Sequence, residues 1–136
     1  MSIVGFDHVA LPAARPEAMI EFYGALGFDV PDVGAWRASG VPFFEVRFGN
    51  QKINVHTAEM WSNPNFELRG PAATPGCADL CFVWEGGTAA LEAMLENAEA
   101  PVIAGPVTLH GARGKGVSVY VRDPESNLLE FIIYDE

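Results

Sequence analysis

The stretch Arg122-Asp123-Pro124-Glu125-Ser126-Asn127-Leu128-Leu129-Glu130-Phe131-Ile132-Ile133-Tyr134 reads as a polar turn leading into a nearly unbroken apolar strand. Asp-Pro and Ser-Asn are turn formers, and Leu-Leu-Glu-Phe-Ile-Ile is too short for a spanning helix and rich in strand residues. One carboxylate, Glu130, stands in the middle of that run. A buried carboxylate without a partner is costly, so Glu130 must be partnered, protonated, exposed or bound to a cation.

Outward from this strand, the second half of the chain takes shape. Ala78 to Trp84 reads as a strand, and Gly86-Gly87-Thr88 as a turn with a threonine cap. Leu91, Met94, Leu95 and Ala98 recur at helical spacing, which predicts an amphipathic helix whose stripe is core. Val102-Ile103 is a short strand after Pro101. Residues 105–116 form a glycine-rich basic loop, and Val117 to Arg122 is the strand before the opening stretch.

The first half repeats the pattern. Residues 3–11 predict a strand holding Asp7 and His8, ended by Pro12. Pro16 opens a helix whose Met19, Phe22, Tyr23 and Leu26 form one apolar stripe, and Gly27 stops it. Residues 28–40 are turn-rich, with a short strand near Phe28–Val30. Val41 to Phe48 and Lys52 to His56 flank the Gly49-Asn50 turn as a hairpin. Residues 58–76 show no period and read as a long connection, with Trp61 placed to cover a pocket.

Each half is therefore a βαβββ module: about 1–57 and about 76–136, joined by a linker of about 58–75 within a single domain. His8 aligns with Asp79, and Glu130 with Asn54 or His56. Equivalent positions in two modules can face one another across a pseudo-twofold axis. On that reading His8, Asp79, Glu130 and one of Asn54 or His56 gather in one cavity.

Composition limits the partners. At 136 residues the chain is long enough for a real core. The formal net charge of −10 argues against nucleic acid or an anionic membrane, since both require a basic face. No apolar run reaches the roughly 20 residues of a spanning helix, and the N-terminus lacks a basic-then-apolar leader, so a cytoplasmic address is expected. Cys77 and Cys81 are too few for a disulfide framework. On one strand face they lie about 13 Å apart, too far for a bridge. A thiolate zinc site needs more ligands, so these cysteines are core or pocket lining.

His, His, Glu and Asp form a mixed nitrogen and oxygen donor set suited to Fe, Mn, Ni or Zn with positions open to substrate. Such an ion polarises substrate oxygens and lowers the pKa of a bound water or enol. Taken singly, His8 is more often a hydrogen-bonded structural histidine, and Glu130 could cap backbone or pair with Arg47. His110 falls outside the repeat and reads as a rim residue. The 105–116 loop lacks the order of a nucleotide-binding loop.

The repeat, Phe6-Asp7-His8-Val9-Ala10-Leu11, Phe22-Tyr23 before Leu26-Gly27-Phe28, and Arg122 through Glu130 together resemble the vicinal oxygen chelate superfamily, which includes glyoxalase I, extradiol dioxygenases and bleomycin-resistance proteins. Phe48 through His56 with Pro75 through Cys81 is most similar to its glyoxalase-domain-containing branch. The resemblance implies an α+β fold whose two βαβββ modules form a cup-shaped, barrel-like sheet with helices outside, and a homodimer. It implies a divalent metal held by His8, His56 and Glu130, with Asp79 as fourth ligand or base. It implies a lyase, isomerase or dioxygenase acting on vicinal oxygens of a small substrate, with Trp61, Arg113 and Tyr120 lining the cup. The alternative within the same resemblance is a metal-free protein that binds or sequesters a small molecule or antibiotic.

Overall fold

A computed structural model describes residues 1–134. The chain is α+β and divides into two compact units, Met1–Cys77 and Ala78–Glu136. Among the described residues no helix is long and apolar enough to cross a membrane.

The first unit is a three-stranded sheet of β1 (His8–Pro12), β2 (Phe43–Phe48) and β3 (Gln51–His56), in the order β1-β3-β2. β1 runs parallel to β3, with His8 beside Lys52 and Ala10 beside Asn54, while β2 is antiparallel to it. Alternation along β3 buries Ile53 and Val55 and leaves Lys52, Asn54 and His56 on the opposite face. Helix α1 (Pro16–Ala25) begins with proline in its first turn and contributes Met19, Ile20 and Tyr23 to the core. Tyr23, Phe28 and Phe48 continue that core as edge-to-face ring pairs at 5.5 and 5.3 Å.

Three expectations change in this unit. The first strand begins at His8 rather than Ile3, because β3 begins at Gln51 and offers no partner to the residues upstream. The turn-rich residues 28–40 hold a helix, α2 (Val33–Ser39). The Asp32 carboxylate accepts the Ala35 N–H at 2.9 Å and Gly40 closes the helix at φ +72°. Trp36 fixes it to β2 by donating Nε1–H to the Phe43 carbonyl at 2.9 Å and packing edge-on against Phe44. The short strand near Phe28–Val30 shrinks to one bridge, Asp29 with Arg47. After β3 comes α3 (Ala58–Trp61), a single turn at the head of the long connection.

The second unit is a four-stranded sheet of β4 (Asp79–Val83), β5 (Ala104–Gly111), β6 (Gly114–Arg122) and β7 (Leu128–Ile133), in the order β4-β7-β6-β5. Its core is Val119, Val121, Leu129, Phe131 and Ile133 with Leu91 and Leu95 of α4 (Thr88–Asn97). Gly87, not Thr88, occupies the cap of α4, and no side chain bonds there. Cys77 lies outside β4, so it shares no strand face with Asp79 and Cys81.

The largest departure is residues 105–116, which form a β5–β6 hairpin and not a loop. Its glycines provide space. A Cβ on Gly111 would lie 2.0 Å from the Tyr134 hydroxyl, and one on Gly116 would lie 2.9 Å from Ile132. At Gly116 the Ile133 carbonyl also lies 2.9 Å from the position of a Cβ, so part of the glycine content that mimics a loop is a packing requirement of a strand.

The opening turn fixes β7 in place. Asp123 Oδ1 accepts the N–H groups of Glu125 and Asn127 at 2.9 and 3.0 Å, and Oδ2 accepts the Asn127 amide at 2.8 Å. Asn127 Oδ1 accepts the Ala78 N–H at 2.9 Å, joining the turn to the start of β4. Asp79 then pairs with Leu128, and Cys81 with Glu130.

Candidate functional site

In the second unit the face opposite the core carries the chemistry. Glu130 lies between Cys81 on β4 and Tyr120 on β6 in the strand ladder. Ser118, fully buried in β6, donates its hydroxyl to Glu130 Oε2 at 2.5 Å. The Cys81 thiol and Tyr120 phenol stand beside the same carboxylate. Burial first, then the negative charge of Glu130, pushes Cys81 up to about 12, so the thiol stays protonated at neutral pH. Tyr120 is raised by the same two causes in the same order. Glu130 is therefore partnered, and by neutral donors.

In the first unit the open face carries a different set. His8 Nδ1 lies 2.7 Å from Asp7 Oδ1, a contact that orients the ring and assigns Nε2 to any further ligand. Asp7 is held below the usual carboxylate range, chiefly by that hydrogen bond. Glu45 accepts from Lys52 Nζ at 2.6 Å through Oε2 and from Arg47 at 2.7 Å through Oε1. The Lys52 bond, then the Arg47 bond, lowers the pKa of Glu45. Asn54 lies between Ala10 and Glu45, and its enclosed Oδ1 has no hydrogen-bond partner among the described residues.

Register settles one equivalence the sequence left open. His8 pairs with Lys52 and Ala10 with Asn54, as Asp79 pairs with Leu128 and Cys81 with Glu130. Asn54 is thus the counterpart of Glu130, and His56 lies two residues beyond. The His56 ring packs edge-on against Phe43 at 6.5 Å and Phe66 at 5.8 Å, and burial lowers its pKa. Asp79 is exposed at the start of β4.

The remaining sequence candidates divide. Tyr120 joins Glu130. Trp61 donates Nε1–H to the Ala13 carbonyl at 3.0 Å, fastening the long connection to the end of β1. Arg113, at the tip of the β5–β6 hairpin, stacks its guanidinium over Tyr134 at 5.5 Å. His110 lies in β5 opposite Lys115. Ser118, Glu45 and Lys52 were not singled out from sequence. Their signal is polar residues at alternate positions in apolar strands, as in Val117-Ser118-Val119 and Phe44-Glu45-Val46.

Each unit carries one oriented side chain of a type that metals bind, the His8 imidazole in the first and the Glu130 carboxylate in the second. Among the described residues no three His, Cys, Asp or Glu side chains form a group able to hold an ion.

No family model matches the chain. It is 34% identical over 136 residues to the glyoxalase domain-containing protein RDO1 of Mycosarcoma maydis, covering 100% of this chain and 72% of that protein. The chain belongs to the vicinal oxygen chelate superfamily. A second relative is virulence protein STM3117 of Salmonella typhimurium, 36% identical over 139 residues, with 98% of this chain and 87% of that protein covered. Its crystal structure matches with a TM-score of 0.83, covering 99% of this chain and 100% of that one. The crystal structure of lactoylglutathione lyase from Agrobacterium tumefaciens matches with a TM-score of 0.70 at 20% identity over 97% and 95% of the two chains. This likeness is one of fold.

Proposed function

We propose that this vicinal oxygen chelate protein is a metal-dependent enzyme acting on adjacent oxygens of a small substrate, with His8 and Glu130 as the residues on which the ion depends. The observation that carries the reading is the orientation of both side chains by dedicated neighbours: Asp7 fixes the His8 ring, and Ser118 fixes Glu130. Ligand residues depend on such partners for their orientation and affinity. A divalent ion, when bound, supplies Lewis acidity toward the substrate oxygens.

The chain's own residues carry the rest of the reading. Ser118 holds one oxygen of Glu130. Tyr120, with its raised pKa, is a neutral hydrogen-bond donor beside the carboxylate at physiological pH. Asp79, exposed on the same face of that sheet, is the candidate base. Fold alone fixes no reaction, so lyase, isomerase and dioxygenase chemistry remain alternatives within this reading. A homodimer belongs to the same proposal. Exposed Ile3, Val4 and Phe6, with the exposed edge strand β5, offer it apolar surface, and light scattering measures it.

The test is metal content of protein purified without chelators. Wild type is expected to hold stoichiometric metal, with His8→Ala and Glu130→Ala each losing most of it. His56→Ala is expected to retain it, since register makes Asn54, not His56, the counterpart of Glu130. Substoichiometric metal that is indifferent to Glu130→Ala refutes the reading.

A further inference from the structure

The outer edge of the three-stranded sheet lacks a strand that the other sheet has. Register matches β1, β3 and β2 to β4, β7 and β6, and only the second sheet continues beyond them, with β5. Asn54 pairs with Glu45 as Glu130 pairs with Tyr120, so Glu45 is the counterpart of Tyr120. In the second unit Tyr120 lies beside Ala104 of β5, and its carbonyl accepts the Ile103 N–H at 2.9 Å. In the first unit Glu45 has no strand on that side.

The positions flanking Glu45 are taken. Asp29 exchanges two main-chain bonds with Arg47, at 2.9 and 3.0 Å. Trp36 donates Nε1–H to the Phe43 carbonyl at 2.9 Å. Main-chain groups alternate in direction along an antiparallel strand, so Phe43, Glu45 and Arg47 all present theirs to this outer edge. Among the described residues nothing there bonds the Glu45 N–H or C=O. A groove of about 460 Å3 lies along the gap, walled by Val30, Pro31, Ala35, Trp36, Val41 and Phe43 and reaching Glu45. Apolar walls around one placed donor and one placed acceptor are the pattern of a small-molecule site, and the volume is in the range of such sites.

We infer that this groove binds a small molecule carrying one N-acylated amino-acid residue with an apolar side chain, which adds to β2 as a single residue of the missing strand. The ligand N–H donates to the Glu45 carbonyl, the ligand carbonyl accepts the Glu45 N–H, and the apolar parts lie against the walls. The taken positions set the length. Phe43 and Arg47 lie about 13 Å apart along the strand, so one residue pairs between them and a longer strand from a protein partner does not fit. Charge sets the ends of the ligand. The Glu45 side chain is already engaged by Lys52 and Arg47, and Asp29 brings a further carboxylate to the groove, which disfavours an anionic ligand. The site lies wholly in the first unit and goes beyond the proposed function, since it needs no metal.

The experiment is an amide chemical-shift titration of the full chain with N-acetylphenylalaninamide. The second probe is the same compound methylated on the phenylalanine nitrogen, which keeps the apolar bulk and removes the donor. The first probe is expected to bind and move the Glu45 amide proton downfield, and the methylated probe to bind about tenfold more weakly. Ala35→Leu fills the groove from α2 and should weaken the first probe about tenfold. Ala38→Leu, on the same helix but away from the groove walls, should leave its affinity unchanged. The amide spectrum of each variant reports its folding directly. Equal affinity for the two probes, no shift at Glu45, or undiminished binding in a folded Ala35→Leu protein overturns the inference. So does a Glu45 shift that follows protein concentration without any probe, which gives this edge to a second copy of the chain.

Discussion

Replacing Asp123 by alanine removes the acceptor on which the last strand turns. Asp123 is 5% exposed and Asn127 1% exposed, so neither site exchanges freely with water. The substitution takes the acceptor from the Glu125 N–H, the Asn127 N–H and the Asn127 amide. Glu125 is half-buried, and its N–H can turn to water. The two Asn127 donors are enclosed, and each stranded donor costs about 1–3 kcal/mol. The expected loss is therefore about 3–4 kcal/mol, a large fraction of the 5–15 kcal/mol typical of a folded domain. For a chain of this length it lowers Tm by about 10 °C. Asp123→Asn should cost less, about 2 kcal/mol, because its oxygen still serves both backbone donors while its amide opposes that of Asn127. Urea unfolding followed by tryptophan fluorescence is the assay, since one of the three tryptophans, Trp84, donates its backbone N–H to the Ile132 carbonyl near the end of β7. A midpoint shift at unchanged m-value is the expected signature of lost stability in an intact fold. If Asp123→Ala melts within about 2 °C of wild type, the turn is not what holds β7 in register.

Three further predictions concern titration. Cys77 and Cys81 are both exposed, but Cys81, pushed up to about 12 by burial and by Glu130, should react with iodoacetamide more slowly than Cys77 at neutral pH, as peptide mass spectrometry resolves. Equal labelling rates for both thiols contradict the effect of Glu130 on Cys81. His56 has a folded pKa below its ordinary 6.5, so the unfolded chain takes up that proton first. Stability should fall as pH drops from about 6.5 toward the lowered value, then level off below it, and His56→Gln should remove that component of the pH–stability curve. The carboxylate Glu45 acts in a separate window. Its contribution is present above 4.5 and is lost as pH falls through its depressed folded value.

The helices and paired strands were legible because their periods are clean. Met19 and Tyr23, or Leu91 and Leu95, lie on one helical stripe, and burial follows it. Residues 33–39 hid their helix because Val33-Gly34-Ala35-Trp36-Arg37-Ala38-Ser39 has no apolar stripe. Its order comes from the Asp32 cap and from Trp36 reaching Phe43 and Phe44, a tertiary term that no local pattern encodes. Residues 105–116 misled in the opposite sense, because glycines required by Tyr134 and Ile132 look identical in sequence to glycines required by a flexible loop. Within the candidate site, His8 and Glu130 were visible as polar residues in apolar strands. Their supports, Asp7 and Ser118, become identifiable only through distance, since Ser118 is twelve residues from the carboxylate it holds.

Register carries the argument one step beyond the repeat. The two sheets place Asn54 and Glu130 at matching positions, and His8 and Asp79 at matching positions, yet their surroundings have diverged in charge. Around Asn54 stand Lys52, Glu45 and Arg47, a charged set with an unsatisfied acceptor at its edge. Around Glu130 stand Ser118, Cys81 and Tyr120, all neutral donors turned toward one carboxylate. A duplicated scaffold that served only stability would have no need of either set, since apolar residues of the same shape satisfy a strand face at no electrostatic cost. The divergence gives each sheet a polar face of its own, a charged one around Asn54 and one of neutral donors around Glu130. Exchanging the two surroundings tests this directly. Glu130→Asn should abolish metal binding, whereas Asn54→Glu, by adding a second anion beside Glu45, should leave metal content unchanged and lower the stability of the first sheet, as metal analysis and urea unfolding of the two variants measure.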